Sequence, residues 1–317
     1  MITLRVLVTG ASGFVGQRIC ECLAIDGKAV RYAVRASDGL RPTGDLFSIK
    51  DIDGVTPWVE ALSSVDLVIH LAARVHILRD NTVDPMAAFR AVNVDGTLNL
   101  ARQAADAGVK RFVFISSAKV NGESTQPDRP FTEVDLPNPQ DAYSLSKHEA
   151  EQGLQKLAAS SGMEVVIIRP PLVYGPGVKA NFAALMQAVQ VGRPLALGAV
   201  NNRRSLIALD NLVDFIMTCM EHPKAANQTF LVSDGNDLST SELVRGLARA
   251  AGVSARLLPV PVWALQAGAM LLGKEDEVQR LCGNLQLDIS KAQRLLNWRP
   301  PLVVEEGLRR AVAGMKR

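Results

Sequence analysis

LRVLVTGASGFVGQRI, residues 4–19, runs from an apolar strand straight into glycines at 10, 13 and 16 and on into a helical pattern. The first two glycines allow a tight turn and close approach of the main chain to a phosphate; the third allows close helix–strand packing. The free N–H groups at the start of the helix would face that phosphate, and the helix dipole favours its charge. The turn therefore predicts a dinucleotide pyrophosphate held by Gly10, Ser12, Gly13, Phe14, Val15 and Gly16.

Working outward, strand-like runs at 4–9, 29–34, 66–71, 111–116 and 164–169 alternate with helical patterns near 14–26, 85–107 and 142–161. DLVIHLA, RFVFIS and EVVIIR are continuously apolar, as parallel strands covered on both faces must be. The alternation predicts an α/β fold with a doubly wound parallel sheet. After Arg169 it weakens into PPLVYGPG and shorter segments, although a helix at 209–221 and a strand at 229–234 read as returns to the sheet. The expected division is a dinucleotide-binding domain over 1–168, rejoined by 207–235, and a smaller interleaved α/β substrate lobe over 169–206 and 236–317. Ligands of such sheets bind beyond the carboxyl ends of the strands, where that lobe would sit.

The bulk numbers narrow the class. The chain has 317 residues, 48% apolar and 21% charged, enough for one large domain and a smaller one. A net charge of +3 gives no case for nucleic acid or an acidic membrane surface, and Arg203-Arg204 and Arg309-Arg310 are too short to supply one. Cys20, Cys22, Cys219 and Cys282 lack metal-ligand spacing, so no metal is expected, and reduced thiols point to the cytoplasm. A strand starting almost at Met1 leaves no room for a signal peptide. VWALQAGAMLLG, 262–273, is about half of the ~20 residues that span a bilayer and is expected to be a packed helix.

The chemistry is carried by DAYSLSKHEA. Tyr143 is one of three tyrosines, and Lys147 follows it by four, which puts both on one helix face. There an ammonium can favour the phenolate over a phenol that starts near ~10. FVFISSAKV ends its apolar run in Ser116 and Ser117. A serine, a tyrosine, a lysine and a phosphate-cradling turn, taken together, predict hydride transfer at a carbinol or ketone carbon. Strand AVRYAVR ends in Arg35 where an acid would hold a ribose 2′-OH, so NADP is favoured and NAD is the alternative; Ser37 and Asp38 follow it.

TGASGFVG, HLAA at 70–73, NVDGT at 93–97, SSAKV with YSLSK, and RPPLVYGPG together resemble the extended short-chain dehydrogenase/reductases that act on nucleotide sugars, over essentially the whole chain. The resemblance implies a Rossmann domain with a C-terminal substrate lobe, a homodimer, and Ser117, Tyr143 and Lys147 as the catalytic set. It places Asp51 and Ile52 at the adenine, with Asp45 in TGDLF a competing match. Leu71, Ala72, Ala73, Asn93 and Pro170 fall along the cofactor channel. KANFAALM implies that Asn181 and Phe182 hold a nucleotide diphosphate, NRRSLIALDNLVD that Arg204 grips it, and RLCGNLQLDISKAQRLLNW that Arg280 is a second clamp; Lys119 is placed at the substrate.

Departures from the pattern bear on the reaction. Ala118-Lys119 stands where 4,6-dehydratases carry an Asp-Glu pair, so elimination is not expected. Lys119 and Asn121 replace the Thr and Tyr of SSATVYG in 4-epimerases. SSAKVNGE is closest to reductases that convert UDP-4-keto-6-deoxy-N-acetylglucosamine to UDP-N-acetylquinovosamine. The leading expectation is thus a UDP-sugar 4-keto reductase. A UDP-hexose 4-epimerase with retained NAD is the alternative, and a non-catalytic dinucleotide-binding protein a remote one.

Overall fold

A computed structural model describes residues 4–35, 44–75 and 84–315. Among the described residues, seven strands form one all-parallel sheet: β1 (Arg5–Thr9), β2 (Ala29–Arg35), β3 (Asp45–Ile49), β4 (Leu67–His70), β5 (Arg111–Ile115), β6 (Glu164–Arg169) and β9 (Gln228–Leu231). Their spatial order is β3-β2-β1-β4-β5-β6-β9. The chain therefore builds outward from β1 on one side, then returns to lay β4 against its other side. That reversal opens a crevice beyond the ends of β1 and β4, where the ligand of a doubly wound sheet belongs. β7 (Leu172–Tyr174) and β8 (Leu206–Ala208) make a separate parallel pair outside this sheet.

The apolar runs sort by parity. Val6 and Val8 enter the core under α1 (Phe14–Ile25) and α6 (Leu209–Glu221), whereas Leu7 enters the one under α3 (Thr97–Asp106) and α4 (Ala142–Ser161). Phe112 and Phe114 share a face while Val113 takes the other. Alternation of Cβ across a pleated strand produces this sorting, and two covered faces explain why no polar residue interrupts these strands. Short α2 (Pro85–Arg90) passes into a π turn over Ala91–Gly96 before α3, so the helical pattern near 85–107 is one segment widened at Asn93.

A third core lies apart from these two. Tyr174, Phe182 and Met186 of α5 (Ala180–Gln190) meet Val244 and Leu247 of α7 (Thr240–Ala250) and Leu308 of α11 (Val304–Ala313). Between α7 and α11 come α8 (Val262–Leu272), α9 (Glu275–Cys282) and α10 (Ser290–Leu296). The expectation of a packed helix over 262–273 holds for one face of α8: Val262 and Leu265 pack against this core and Ala269 is buried, while Trp263, Met270, Leu271 and Leu272 are exposed. The helix is apolar all round, so its pattern contained no stripe to say which face would be covered. Among the described residues no helix is long and apolar enough to cross a membrane.

Strand β3 was not anticipated from the sequence. It pairs with β2 from Arg31↔Asp45 to Arg35↔Ile49, and it is an edge strand with exposed positions, hence without a continuous apolar run. Its placement separates the two acids at issue for the adenine. Asp45 begins the strand and binds Arg31 Nε at 2.8 Å, at the amino end of the sheet, whereas Asp51 follows the carboxyl end.

Gly16 shows how tightly the first turn is built. A Cβ there would overlap the Gly10 carbonyl oxygen and lie 2.8 Å from Ala11 Cα. Both obstacles are backbone and cannot rotate away. Gly16→Ala is expected to destabilise the protein by about 1–3 kcal/mol, as overpacking does. It should also weaken dinucleotide binding as α1 shifts. Denaturant unfolding and calorimetry check the two effects.

Candidate active site

The glycine turn and β4 meet at the crevice. Gly10 has φ +70°, and a Cβ on it would stand 2.7 Å from Ala72 N, so glycine is required both for the backbone conformation and for the approach of the loop carrying Leu71, Ala72 and Ala73. Gly13 is the N-cap of α1; no side chain caps that end, and no acid lies in the first turn. The N–H groups of this helix start, at Phe14 and Val15, are thus left for an anion, with the dipole behind them. This cradle fits a dinucleotide pyrophosphate. A groove of about 800 Å³ opens from Ser12, Gly13 and Phe14 toward Lys179 and Arg310; Ser117, Tyr143 and Lys147 do not line it.

Helix α4 carries the catalytic candidates. Asp141 is its N-cap: its carboxylate accepts from Ser144 N at 2.7 Å, and Ser144 Oγ accepts in return from Asp141 N at 3.1 Å. This capping box fixes the start of the helix two residues before Tyr143. Tyr143 packs edge-on to Phe89 of α2 at 6.3 Å. Lys147, one turn on, is buried; its Nζ donates to Ile115 O at 2.8 Å and lies 4.4 Å from the centre of the Phe114 ring. Ser117 follows β5 and caps the short turn Ala118–Val120, its Oγ accepting from Lys119 N at 3.2 Å.

Electrostatics here correct one expectation. Burial, and then the Asp141 carboxylate, push the Tyr143 phenol up to about 12. Burial brings the Lys147 ammonium down to about 7, opposed by Glu151. Burial outweighs the support that the Lys147 ammonium can give the phenolate, and the Lys147 Nζ is engaged by the Ile115 carbonyl.

Several side chains that support this machinery carried no sequence signal of function. His70, fully buried, bonds Thr9 Oγ1 at 2.7 Å and Thr97 Oγ1 at 2.9 Å, tying β1 to the start of α3 just after the π turn. Burial and Lys147 bring it down to about 3, so it is a neutral strut. Asn93, expected along the cofactor channel, has its amide engaged: Oδ1 accepts from Arg74 N at 2.8 Å, and Nδ2 donates to Arg74 O and to Ser146 Oγ. Glu151 continues the stripe 143, 147, 151 on α4 and holds Arg169 in a buried bidentate pair at 2.9 and 2.5 Å. Arg169 also donates to Asn121 Oδ1 at 2.8 Å. The i, i+8 spacing from Tyr143 and the charge ending EVVIIR were the available hints. Pro170 is buried next to Arg169, its carbonyl accepting from Ala118 N at 2.9 Å.

The remaining positions sort as follows. Lys119 Nζ is held by Glu123 at 2.8 Å and Asp141 at 2.7 Å. The Phe182 ring is buried and stacked on Tyr174 at 5.5 Å, so a ligand contact there would fall to its backbone. Asn181 is exposed at the start of α5. Arg204 is half-buried, bonds Gly283 O at 3.0 Å, and has its pKa lowered by burial, with Glu123 opposing. Arg203 forms an exposed ion pair with Asp128. Arg280 is exposed on α9, without an ion pair or hydrogen bond among the described residues. Asp51 lines a shallow pocket with Ile49 and Thr56, and Ile52 packs against Gly96 of the π turn. Arg35 is exposed at the end of β2, and Ser37 and Asp38 lie outside the described residues.

A parallel doubly wound sheet, a glycine turn at its crevice, and serine, tyrosine and lysine beyond β5 and on α4 define a dinucleotide-dependent enzyme of the short-chain dehydrogenase/reductase type. The sequence model described as the NAD dependent epimerase/dehydratase family matches residues 6–233, and the chain belongs to that family. A "UDP-glucose 4-epimerase" of Vibrio cholerae is 50% identical over 310 residues, 96% of this chain and 93% of the relative. Among solved structures, the UDP-glucose 4-epimerase of Thermus thermophilus in complex with NAD has a TM-score of 0.79, 24% identity and 98% coverage of both chains. RMD from Pseudomonas aeruginosa, complexed with NADPH, has a TM-score of 0.72 and 21% identity, covering 98% of this chain and 99% of its own. Both share the fold.

Proposed function

We propose that this enzyme is a UDP-hexose 4-epimerase that retains NAD. The observation that carries this reading is the half-identical Vibrio cholerae UDP-glucose 4-epimerase, which matches the chain almost end to end. The leading expectation of a 4-keto reductase is set behind it. That expectation leaned on Lys119 and Asn121, and both side chains are committed to structure: Asn121 to Arg169, Lys119 to two carboxylates. A UDP-4-keto-6-deoxy-HexNAc reductase using NADPH is the second reading, favoured by Arg35 at the end of β2, where a guanidinium suits a 2′-phosphate.

In this reading the glycine turn holds the pyrophosphate, Asp51 and Ile52 the adenine, and Lys147 the nicotinamide ribose. Bound dinucleotide supplies acceptance and return of the C4 hydride. Tyr143 takes the 4-hydroxyl proton and gives it back to the same oxygen once the keto sugar has turned over and hydride has returned to the opposite face of C4, and Ser117 holds that oxygen by a hydrogen bond. Each pH unit by which the phenol is lowered requires about 1.4 kcal/mol of differential stabilisation. The deciding experiment is incubation with UDP-glucose and no added dinucleotide, following UDP-galactose by NMR. Conversion, with NAD+ released on denaturation, supports the epimerase. No conversion, together with NADPH oxidation by a UDP-4-keto sugar, would establish the reductase.

Arg204→Ala is expected to weaken UDP binding by roughly 10- to 150-fold, the loss of one charge-assisted contact of about 1.5–3 kcal/mol. NAD+ affinity should not change. Calorimetry with each ligand checks both, and unchanged UDP affinity would move the clamp to Arg280, since Arg203 is paired with Asp128.

A further inference from the structure

We propose that Lys119 is a positioning residue: its ammonium fastens the serine turn to the N-cap of α4, shields Tyr143 from the Asp141 carboxylate, and does not contact the sugar. The inference rests on the reading of Tyr143 as the acid–base group. Lys119 lies two residues after Ser117, and Asp141 two residues before Tyr143. The 2.7 Å bond between Lys119 Nζ and Asp141 Oδ2 is therefore a direct strap between the elements that carry the two catalytic candidates. The other carboxylate oxygen caps α4 through Ser144 N, so the acid is held from both sides. Glu123 takes a second bond from the same ammonium at 2.8 Å.

The charge pattern explains the need for a cation here. Asp141 serves α4 as its cap, yet its negative charge opposes ionisation of the phenol two residues on. A neutral side chain at 119 would leave that charge uncompensated. The charge acting on the phenol is that of Asp141, on its own helix with Lys147, and Lys119 links Asp141 to Glu123 of the serine turn. The Arg74 guanidinium lies over the Phe89 ring that packs against Tyr143. Among the described residues, Lys119 is the cation bonded to the Asp141 carboxylate. With two carboxylates on its ammonium, it has little donor capacity for a ligand.

The test is titration of phenolate absorbance in the NAD+-saturated protein, with Tyr143→Phe subtracted so that one of three tyrosines is read. Asp141→Asn keeps a good N-cap residue and is expected to lower the midpoint by about one pH unit. Lys119→Met should raise it above wild type, Lys119→Arg should leave it in place, and the Lys119→Met/Asp141→Asn double variant should lose the rise. With UDP-glucose, Lys119→Met should cut kcat about 10-fold and leave KM unchanged, as loss of tuned acid–base chemistry does. An unmoved midpoint in Lys119→Met, or a raised KM with kcat intact, would overturn the proposal in favour of direct substrate contact. Should Lys119→Met fail to fold, an unmoved midpoint in Asp141→Asn overturns it alone. The titration does not depend on turnover. A wild type inert on UDP-hexoses that still shows these shifts would overturn the functional reading and leave the role of Lys119 standing.

Discussion

Tyr143→Phe is expected to lower turnover by roughly 10²-fold or more, the loss of a positioned acid–base group. The phenylalanine ring retains the edge-on contact with Phe89, so packing changes little. The capping box of α4 depends on Asp141 and Ser144, not on the phenol, and the helix should start where it does now. NAD+ affinity should hold, because the pyrophosphate cradle lies at the start of α1. Steady-state kinetics with calorimetry separate the two quantities. A phenylalanine variant with wild-type turnover would remove Tyr143 from the chemistry and with it the proposed mechanism.

Glu151→Gln is expected to cost about 3–5 kcal/mol of stability, because it leaves a buried guanidinium facing a neutral partner. Arg169 and Glu151 are 5% and 1% exposed, so water cannot replace the lost charge. The consequence should reach the site. Glu151 supports the Lys147 ammonium one turn away on α4, and its loss would lower that group further below about 7. Denaturant unfolding measures the first effect and the pH profile of turnover the second. Replacing both partners with methionine should recover most of the stability, since an apolar pair carries no uncompensated charge. If the single variant is as stable as wild type, the pair is not what holds β6 to α4.

The first domain was legible because its signals are local and redundant. Parallel strands covered on both faces must be apolar throughout, which made β1, β4, β5 and β6 readable as runs. Gly10, Gly13 and Gly16 declared the turn, since a side chain at 10 or 16 would collide with backbone. Tyr143 and Lys147 were legible from a spacing of four. Strand β3 was not, because an edge strand alternates with solvent and carries no run. Helix α8 was legible only in part, because uniform apolarity does not say which face will be covered.

By itself, then, the sequence determined the class of fold, the anion cradle and the catalytic stripe on α4, all of which depend on short-range periodicity and steric necessity. Only the tertiary structure decided what each polar side chain does with its bonding capacity. The sequence put Lys119 at the substrate and gave Asn121 no bonding partner; in the fold Lys119 is bonded to Asp141 and Glu123, and Asn121 to Arg169. Phe182 carries no sign in the sequence that its ring is stacked on Tyr174. The shift of Tyr143 upward and of Lys147 downward likewise comes from burial that no spacing along the chain encodes. Desolvation and partner choice are set by residues far apart in sequence, so they exist only once the chain has packed.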